Sequence, residues 1–164
     1  MKPEIITIVG KSNSGKTTLL EKLIFNLTQK GYKIGSVKHA HNSFDMDTKG
    51  KDSYRHKKAG AAGTLVITKD KIAMIKNDKT GYIDKMQYYL ADNDIIMAEG
   101  FKKQQLPKIE IFRTQSVHKK PLCMDDKTLI AFVTDSDYKP NVPVFKLDEI
   151  DKIACFIELN FLTK

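Results

Sequence analysis

The sequence predicts a three-layer α/β fold, in which a mostly parallel β-sheet lies between helices on both faces and a β-hairpin projects from it. Short β-branched runs alternate with segments whose apolar residues have helical spacing, which is typical of parallel sheets. The length of 164 residues favours a single domain over residues 1–164. The two cysteines form no Cys-x-x-Cys pair, so they indicate neither a disulfide framework nor a zinc motif.

The first part of the chain predicts a strand, a helix and a second strand, followed by a polar loop. Residues 5–9 are β-branched and end at Gly10, which is typical of a strand buried on both faces. Residues 19–27 carry apolar side chains at helical spacing. A strand over 33–37 and a long polar stretch over 39–52 follow, and loops of this length usually have a function.

The rest of the chain predicts a short helix, a hairpin and further alternating elements. The short helix is capped by Asp52 or Ser53 and runs through Ala62. The remaining predicted elements are a hairpin of 64–68 and 71–75, a helix over 84–90, strands over 95–98, 109–112, 129–133 and 142–145, and a final helix capped by Asp148.

A phosphate-loop motif lies between the first strand and the first helix. Residues 10–17 fit the pattern G-x-x-x-x-G-K-[ST], so the fold class is that of the P-loop NTPases. Lys16 is expected to bind the β- and γ-phosphates, and the Thr17 hydroxyl is expected to bind Mg²⁺. The predicted nucleotide-binding residues of this loop are Gly10, Lys11, Ser12, Asn13, Ser14, Gly15, Lys16, Thr17 and Thr18.

Magnesium at such a loop needs a carboxylate, usually at the end of an apolar strand. Glu99 ends the predicted strand over 95–98 and is preferred to Asp94, which opens it. Asp45 is expected to reach the ion or its water shell from the polar loop, which would then act as a switch segment. The predicted catalytic residues are Lys16, Asp45 and Glu99, and the predicted Mg²⁺ ligands are Thr17, Asp45 and Glu99.

The polar loop is also compatible with a second hypothesis, a transition-metal site. His39 and His41 lie close in sequence to Asp45 and Asp47, and imidazole with carboxylate suits a transition metal. A His-x-His pair alone is a weak signal, so the switch interpretation is favoured.

Positive charge is concentrated next to the predicted site loops. The net charge is +8, and residues 38–58 and 102–120 together account for all of it. Such segments favour an anionic ligand or an acidic partner. Nucleic acid is disfavoured because the basic stretches lack an aromatic stacking platform.

The sequence contains no signal for a membrane or secreted location. No apolar run approaches the roughly 18 residues of a membrane span, and the apolar segment near the N-terminus is too short for a signal peptide. The expected location is therefore the cytoplasm, with both thiols reduced.

Several motifs in order along residues 5–113 point to one known family. The matching segments are 10–18, 38–39, 44–47, 50–56, 59–61, 99–102 and 107–110. Together they resemble MobB, the molybdopterin-guanine dinucleotide biosynthesis adapter family. Residues 50–56 and 99–102 are much more specific than the phosphate loop, which many families share. In addition, Lys11 directly after Gly10 resembles the deviant phosphate loop of the SIMIBI class, in which that lysine often crosses a dimer interface to the partner's nucleotide.

The resemblance implies a homodimeric GTP-binding protein with weak GTPase activity and Mg²⁺ as its metal. It also implies that the chain assists MobA, the enzyme that joins GMP to molybdopterin, and contact with molybdopterin or its carrier is a further expectation. We add Arg55 and Lys102 as our own candidates for contacting an anionic pterin phosphate or the partner.

Guanine specificity rests on the resemblance, because the sequence lacks the usual guanine signature. No Asn-Lys-x-Asp or Thr-Lys-x-Asp segment occurs, and residues 68–71 have lysine where aspartate is needed. Asp135 follows the predicted strand over 129–133 and is the candidate acceptor for hydrogen bonds from guanine. A turn aspartate without a ligand fits the sequence equally well.

Two other functions remain open. A small-molecule kinase or ligase similar to dethiobiotin synthetase would use ATP, and a non-hydrolysing adapter would bind phosphate while docking to an acidic protein. If GTP is hydrolysed, the reaction is expected to be slow, because no residue stands out as a general base or an arginine finger.

Overall fold

The structure is a computed structural model that describes residues 2–40 and 47–163. The chain divides into two compact units, one formed by residues 1–39 and 85–164 and the other by residues 40–84. The single-domain prediction stays a prediction. No helix in the described ranges is both long enough and apolar enough to cross a membrane.

The elements alternate between strands and helices along most of the chain. In chain order they are β1 (Glu4–Val9), α1 (Lys16–Gln29), β2 (Ile34–Lys38), α2 (Asp52–Lys58), β3 (Gly63–Ile67), β4 (Ile72–Lys76), α3 (Tyr82–Tyr89), β5 (Ile95–Glu99), β6 (Lys108–Phe112), β7 (Leu129–Thr134), β8 (Val144–Phe145), α4 (Ile150–Ile157) and a π-helical segment (Glu158–Leu162).

The first unit contains a six-stranded sheet with the order β2-β5-β1-β6-β7-β8. All neighbouring strands in it are parallel. The carboxyl ends of the strands therefore lie along one edge of the sheet. The predicted α/β fold with a mostly parallel sheet is confirmed.

One face of the sheet packs against α1 and α4. Ile6 and Ile8 of β1 join the leucines of α1, among them Leu23 and Leu27, in the main core cluster. Ile153 of α4 completes this contact, and all five side chains are fully buried. Burial of one such side chain stabilises the fold by about 1.5–3 kcal/mol.

The opposite face is covered by the end of α3 and by loops, and it contains buried charged groups. A Cβ added at Gly35 of β2 would lie 3.0 Å from Leu90 Cδ1, so Leu90, the residue after α3, packs closely on this face. Lys108 of β6, on the same face, is 0% exposed. Its ammonium donates to Gln104 O at 2.7 Å and lies 3.2 Å from Asp126 Oδ2. Lys108 therefore connects two loops to the sheet.

Glu110, two residues along β6, fixes another loop on this face. It is 1% exposed and accepts the backbone N–H groups of Leu122 at 2.5 Å and Cys123 at 2.8 Å. Burial raises the pKa of the Cys123 thiol to about 11. Cys123 is buried and Cys155 is exposed, and both are free thiols, as the composition predicted.

The second unit contains α2 and an antiparallel hairpin of β3 and β4. The predicted hairpin is confirmed, with each strand shifted by one residue, and Thr68 N–H donates to Lys71 O at the turn. Leu65 lies opposite Met74 and Ile67 lies opposite Ile72. These four residues form one face of the hairpin, here called the hairpin face, and all are exposed.

The predicted boundaries of α2 were wrong at both ends. The residue before the helix is Lys51, and the Ser53 hydroxyl donates to Asp47 Oδ1 at 2.8 Å instead of capping the helix. The helix ends before Ala62 because Gly60 has a left-handed backbone, with φ of 107°. The glycine permits a Schellman-type end, in which a later N–H returns to a carbonyl of the last turn.

Two boundaries near the C-terminus also differ from the sequence prediction. The cap of α4 is Glu149 rather than Asp148, and the Glu149 carboxylate accepts the Lys146 N–H at 2.9 Å. β8 is shorter than the predicted strand over 142–145, because Pro143 has no N–H to donate to a neighbouring strand.

Replacement of Lys108 by methionine is expected to lower the free energy of unfolding by about 2–4 kcal/mol. Lys108→Met keeps the aliphatic stem but removes the ammonium group that Gln104 O and Asp126 accept in a buried site. Urea denaturation measures the change. Lys103→Met, at an exposed neighbouring lysine, is the control and should change stability by less than about 0.5 kcal/mol. Equal stability of the two variants would contradict the buried role of Lys108.

Candidate functional site

The loop over residues 10–15 connects β1 to α1 through three positive backbone angles. The φ angles are 153° at Gly10, 61° at Asn13 and 94° at Gly15. A Cβ at Gly10 would lie only 2.5 Å from the Ile111 carbonyl oxygen of β6 and 2.6 Å from Ser14 Oγ. Glycine is therefore required at this position by the close approach of β6.

Lys16 and Thr17 open α1, at the carboxyl edge of the sheet. The Lys16 ammonium donates to Lys11 O at 2.8 Å. The Thr17 hydroxyl donates to Glu99 Oε2 at 2.9 Å, although the two residues are far apart in sequence. The structure thus brings together three of the predicted site residues, Lys16, Thr17 and Glu99.

The charges around Lys16 have opposing effects. Burial lowers the pKa of Lys16, the Glu99 carboxylate raises it, and the positive charges of Lys38 and Lys102 lower it further. These four side chains therefore form one electrostatic group. Lys38 was not among the predicted site residues.

The other residues of the loop differ in exposure. Ser12, Asn13 and Thr18 are exposed, and Lys11 is partly exposed. Ser14 is buried, and its Oγ has no hydrogen-bond partner within residues 2–40 and 47–163. A buried hydroxyl of this kind is a polar group that a ligand can satisfy.

The segment that follows Glu99 folds tightly over the strand ends. Gly100 N–H donates to Ile8 O, and His39 N–H donates to Glu99 O, both at 3.0 Å. Phe101 has a φ of 56°, and its buried ring lies 4.7 Å from the His39 ring. The His39 ring is therefore packed against an aromatic side chain beside the loop.

The alternative metal centre gains no support from the described residues. Within residues 2–40 and 47–163, no group of three His, Cys, Asp or Glu side chains is arranged to hold a metal. His41 and Asp45 lie outside the described residues, so the switch prediction for Asp45 stays a prediction. Asp94 accepts the Lys33 N–H at the amino end of β5, away from the phosphate loop.

Asp135 follows β7 at the same edge of the sheet as the phosphate loop. Its Oδ1 accepts the Thr114 N–H at 2.7 Å, which joins the loops after β6 and β7. The side chain is exposed. Asp135 thus has a structural contact, and its predicted role toward guanine stays a prediction.

Sequence reasoning assigned no structural role to Glu110, which lies close to the phosphate loop. It lies opposite Val9, the residue before the phosphate loop, in the β1–β6 register. Burial raises the pKa of Glu110, while its two backbone donors and the Lys11 charge lower it. The signal in the sequence was the charged residue at the centre of the apolar strand over 108–112.

Arg55 lies in the second unit, on α2. Its guanidinium is exposed and lies 3.7 Å from Asp52 Oδ1. A surface pocket of about 540 Å³ is lined by Asp52, Arg55, His56, Lys58 and Ala59. Four of these lining side chains are ionisable, one acidic and three basic, and the role predicted for Arg55 stays a prediction.

Comparison with known proteins gives consistent matches. The family model described as "Molybdopterin guanine dinucleotide synthesis protein B" (MobB) matches residues 5–135. The molybdopterin-guanine dinucleotide biosynthesis adapter protein of Escherichia coli K12 is 32% identical over 158 residues, which cover 93% of this chain and 90% of that protein. The protein of the same name from Haemophilus influenzae is 34% identical over 157 residues, with 94% and 87% covered.

Solved structures give the same result for the fold. The crystal structure of Bacillus subtilis MobB superposes with a TM-score of 0.77 at 24% identity, covering 98% of this chain and 99% of that one. A crystal structure of molybdopterin-guanine biosynthesis protein B (mobB) gives 0.75 at 26% identity, with the same coverage. The sequence matches extend along most of the chain and include the phosphate loop and the segment after Glu99. The chain therefore belongs to the MobB family.

Proposed function

We propose that this chain binds Mg·GTP at residues 10–18 and acts as an adapter in molybdopterin guanine dinucleotide biosynthesis. The observation that carries the proposal is the arrangement of Lys16, Thr17 and Glu99 at the carboxyl edge of the sheet. The loop offers backbone N–H groups and a lysine to phosphate, and a hydroxyl and a carboxylate lie in contact beside it.

The donor set fits magnesium. Thr17 Oγ1 and Glu99 Oε2 are hard oxygen ligands, which Mg²⁺ prefers over nitrogen or sulfur, and they lie 2.9 Å apart. Bound there, Mg²⁺ would neutralise charge on the phosphates. Asp45 is proposed as a further ligand or water-shell contact from the polar loop.

Hydrolysis of GTP is proposed to be weak. The chain has only two arginines, Arg55 and Arg113. Arg113 follows β6, and β1 separates β6 from β5 and therefore from Glu99. Rapid GTPases neutralise the transferring phosphate with a positioned arginine and orient the attacking water. Turnover of the isolated protein is therefore expected to stay below about 1 per second.

The biological role is proposed from the family. The relatives from E. coli and H. influenzae carry the name of adapter proteins in molybdopterin-guanine dinucleotide biosynthesis. We place this chain in the same role, assisting the guanylyltransferase MobA when GMP is joined to molybdopterin. Arg55 and Lys102 are the proposed contacts for a pterin phosphate, its carrier or the enzyme, because both are exposed cations in MobB-like motifs.

A homodimer is also proposed, and the hairpin face supports it. An exposed apolar face is stabilised when another surface covers it and removes it from water. The four residues of the hairpin face are apolar, and Lys76, opposite Gly63, adds one charge at the end of the same side of the hairpin. A second copy can cover it symmetrically, since a twofold interface brings the same patch of both subunits together.

Calorimetric titration with GTP and ATP, with and without Mg²⁺, tests the central proposal. The chain should prefer GTP, and Mg²⁺ should increase its affinity. Glu99→Gln should remove most of the Mg²⁺ effect, because the neutral amide is a poorer metal ligand. Glu21→Gln, at an exposed position on α1, is the control and should behave as the unmodified chain. Preference for ATP would favour the kinase or ligase alternative, and tight binding without any hydrolysis would favour the non-hydrolysing adapter.

Replacement of Asp135 by asparagine should reduce the preference for GTP over ATP by about tenfold or more. The reason is that a hydrogen bond from the base to a charged carboxylate contributes about 1.5–3 kcal/mol. The ratio of the two dissociation constants is measured by titration. Asp137→Asn, an exposed aspartate two residues further along the chain, is the control. If Asp135→Asn keeps the preference, Asp135 is only a turn residue.

A charge on the hairpin face should dissociate the proposed homodimer. Ile72 is 74% exposed, and Ile72→Glu would bury a carboxylate in an apolar interface, which is strongly unfavourable. Analytical ultracentrifugation should show a dimer for the unmodified chain and a monomer for the variant. Val117→Glu, at a residue 91% exposed in the loop after β6, should leave the dimer intact. A monomeric unmodified chain would contradict the homodimer.

A further inference from the structure

Lys38 faces the side of the sheet that carries α1. In the β2–β5 register Lys38 lies opposite Glu99, and in the β5–β1 register Glu99 lies opposite Ile8. Partners in register point to the same face of a sheet. Ile8 is fully buried in the core cluster that contains the leucines of α1. Lys38 and Glu99 therefore share the face on which α1 begins.

The strand spacing brings the Lys38 side chain within reach of Glu99. Neighbouring strands lie about 4.8 Å apart, and an extended lysine side chain reaches about 6 Å from its Cα. Glu99 in turn accepts the Thr17 hydroxyl at 2.9 Å. Since β5 lies between β2 and β1, Lys38 lies on the side of Glu99 away from β1.

The positive charge of Lys38 is close enough to affect the Lys16 ammonium group. Lys38 is one of the charges that lower the pKa of Lys16. Lys38 is exposed, and within residues 2–40 and 47–163 no carboxylate forms an ion pair with it. Among these residues, its charge therefore remains available to an anion bound between Lys38 and Lys16.

We propose that Lys38 binds the terminal phosphate of a nucleoside triphosphate and makes the site prefer triphosphate to diphosphate. The inference rests on the proposed nucleotide binding. A phosphate chain held by residues 10–15 and reaching Lys16 and Thr17 has its terminal group toward Glu99. Lys38 lies beside Glu99 in the β2–β5 register, and its charge reaches Lys16. A diphosphate ends before this position, so only the triphosphate gains from Lys38.

Titration of GTP and GDP into Lys38→Ala, in the presence of Mg²⁺, tests this inference. The affinity for GTP should fall by about tenfold or more, and the affinity for GDP by less than about twofold. Lys38→Arg should retain most of the preference for GTP. Lys33→Ala is the matched control, because Lys33 is an exposed lysine just before the opposite end of β2. It removes the same charge and should change neither affinity.

The outcomes separate the inference from the proposed function. If the unmodified chain binds GTP and Lys38→Ala weakens GTP and GDP equally, Lys38 contributes only general positive charge and the inference is wrong, while nucleotide binding stands. If the unmodified chain binds neither nucleotide, the proposed function and the inference both fail. A loss confined to GTP in Lys38→Ala, with an unchanged circular dichroism spectrum, supports the inference.

Discussion

The position of β1 between β5 and β6 is the constraint on which the candidate site depends. Pairing with β6 brings the Ile111 carbonyl against Gly10 and sets the direction in which the chain leaves the strand. Pairing with β5 brings Glu99 to the first turn of α1, where it meets Thr17. The hydrophobic contacts of β1 with α1 keep the strand packed beneath the helix. The order β5-β1-β6 thus brings the phosphate loop, Thr17 and Glu99 together.

The far face of the sheet supports the site by a different physical means. Lys108 and Glu110 place opposite charges in a water-poor environment, where each must be fully hydrogen-bonded to be tolerated. Their partners are loop carbonyls, loop N–H groups and Asp126, so the covering loops have few alternative positions. An apolar contact would be less directional. The loops beside β6 are therefore held in place, and they limit the space next to Val9 and the phosphate loop that follows it.

The sequence predicted the parallel sheet, the hairpin and the grouping of Lys16, Thr17 and Glu99, because strand periodicity and loop motifs are local signals. It did not predict Lys38 as part of the group, since the contact arises only from the β2–β5 register. The buried role of Lys108 was missed because a lysine is normally exposed and its charged partner, Asp126, lies in the loop before β7. The end of α2 was missed because the Gly60 turn competed with a continuing helical pattern.

The close approach of β6 to Gly10 separates the residues of the phosphate loop into two groups. The carbonyl that excludes a Cβ at Gly10 belongs to the sheet itself, so the fold demands glycine there whether or not a nucleotide binds. The backbone of α1 makes no such demand at Lys16 or Thr17, where helical angles admit any ordinary residue. A divergent relative that keeps this glycine but replaces the lysine and the hydroxyl would retain the architecture and lose the ligand. Glycine at position 10 is thus an indicator of the fold, whereas the lysine and the hydroxyl at positions 16 and 17 are indicators of ligand binding.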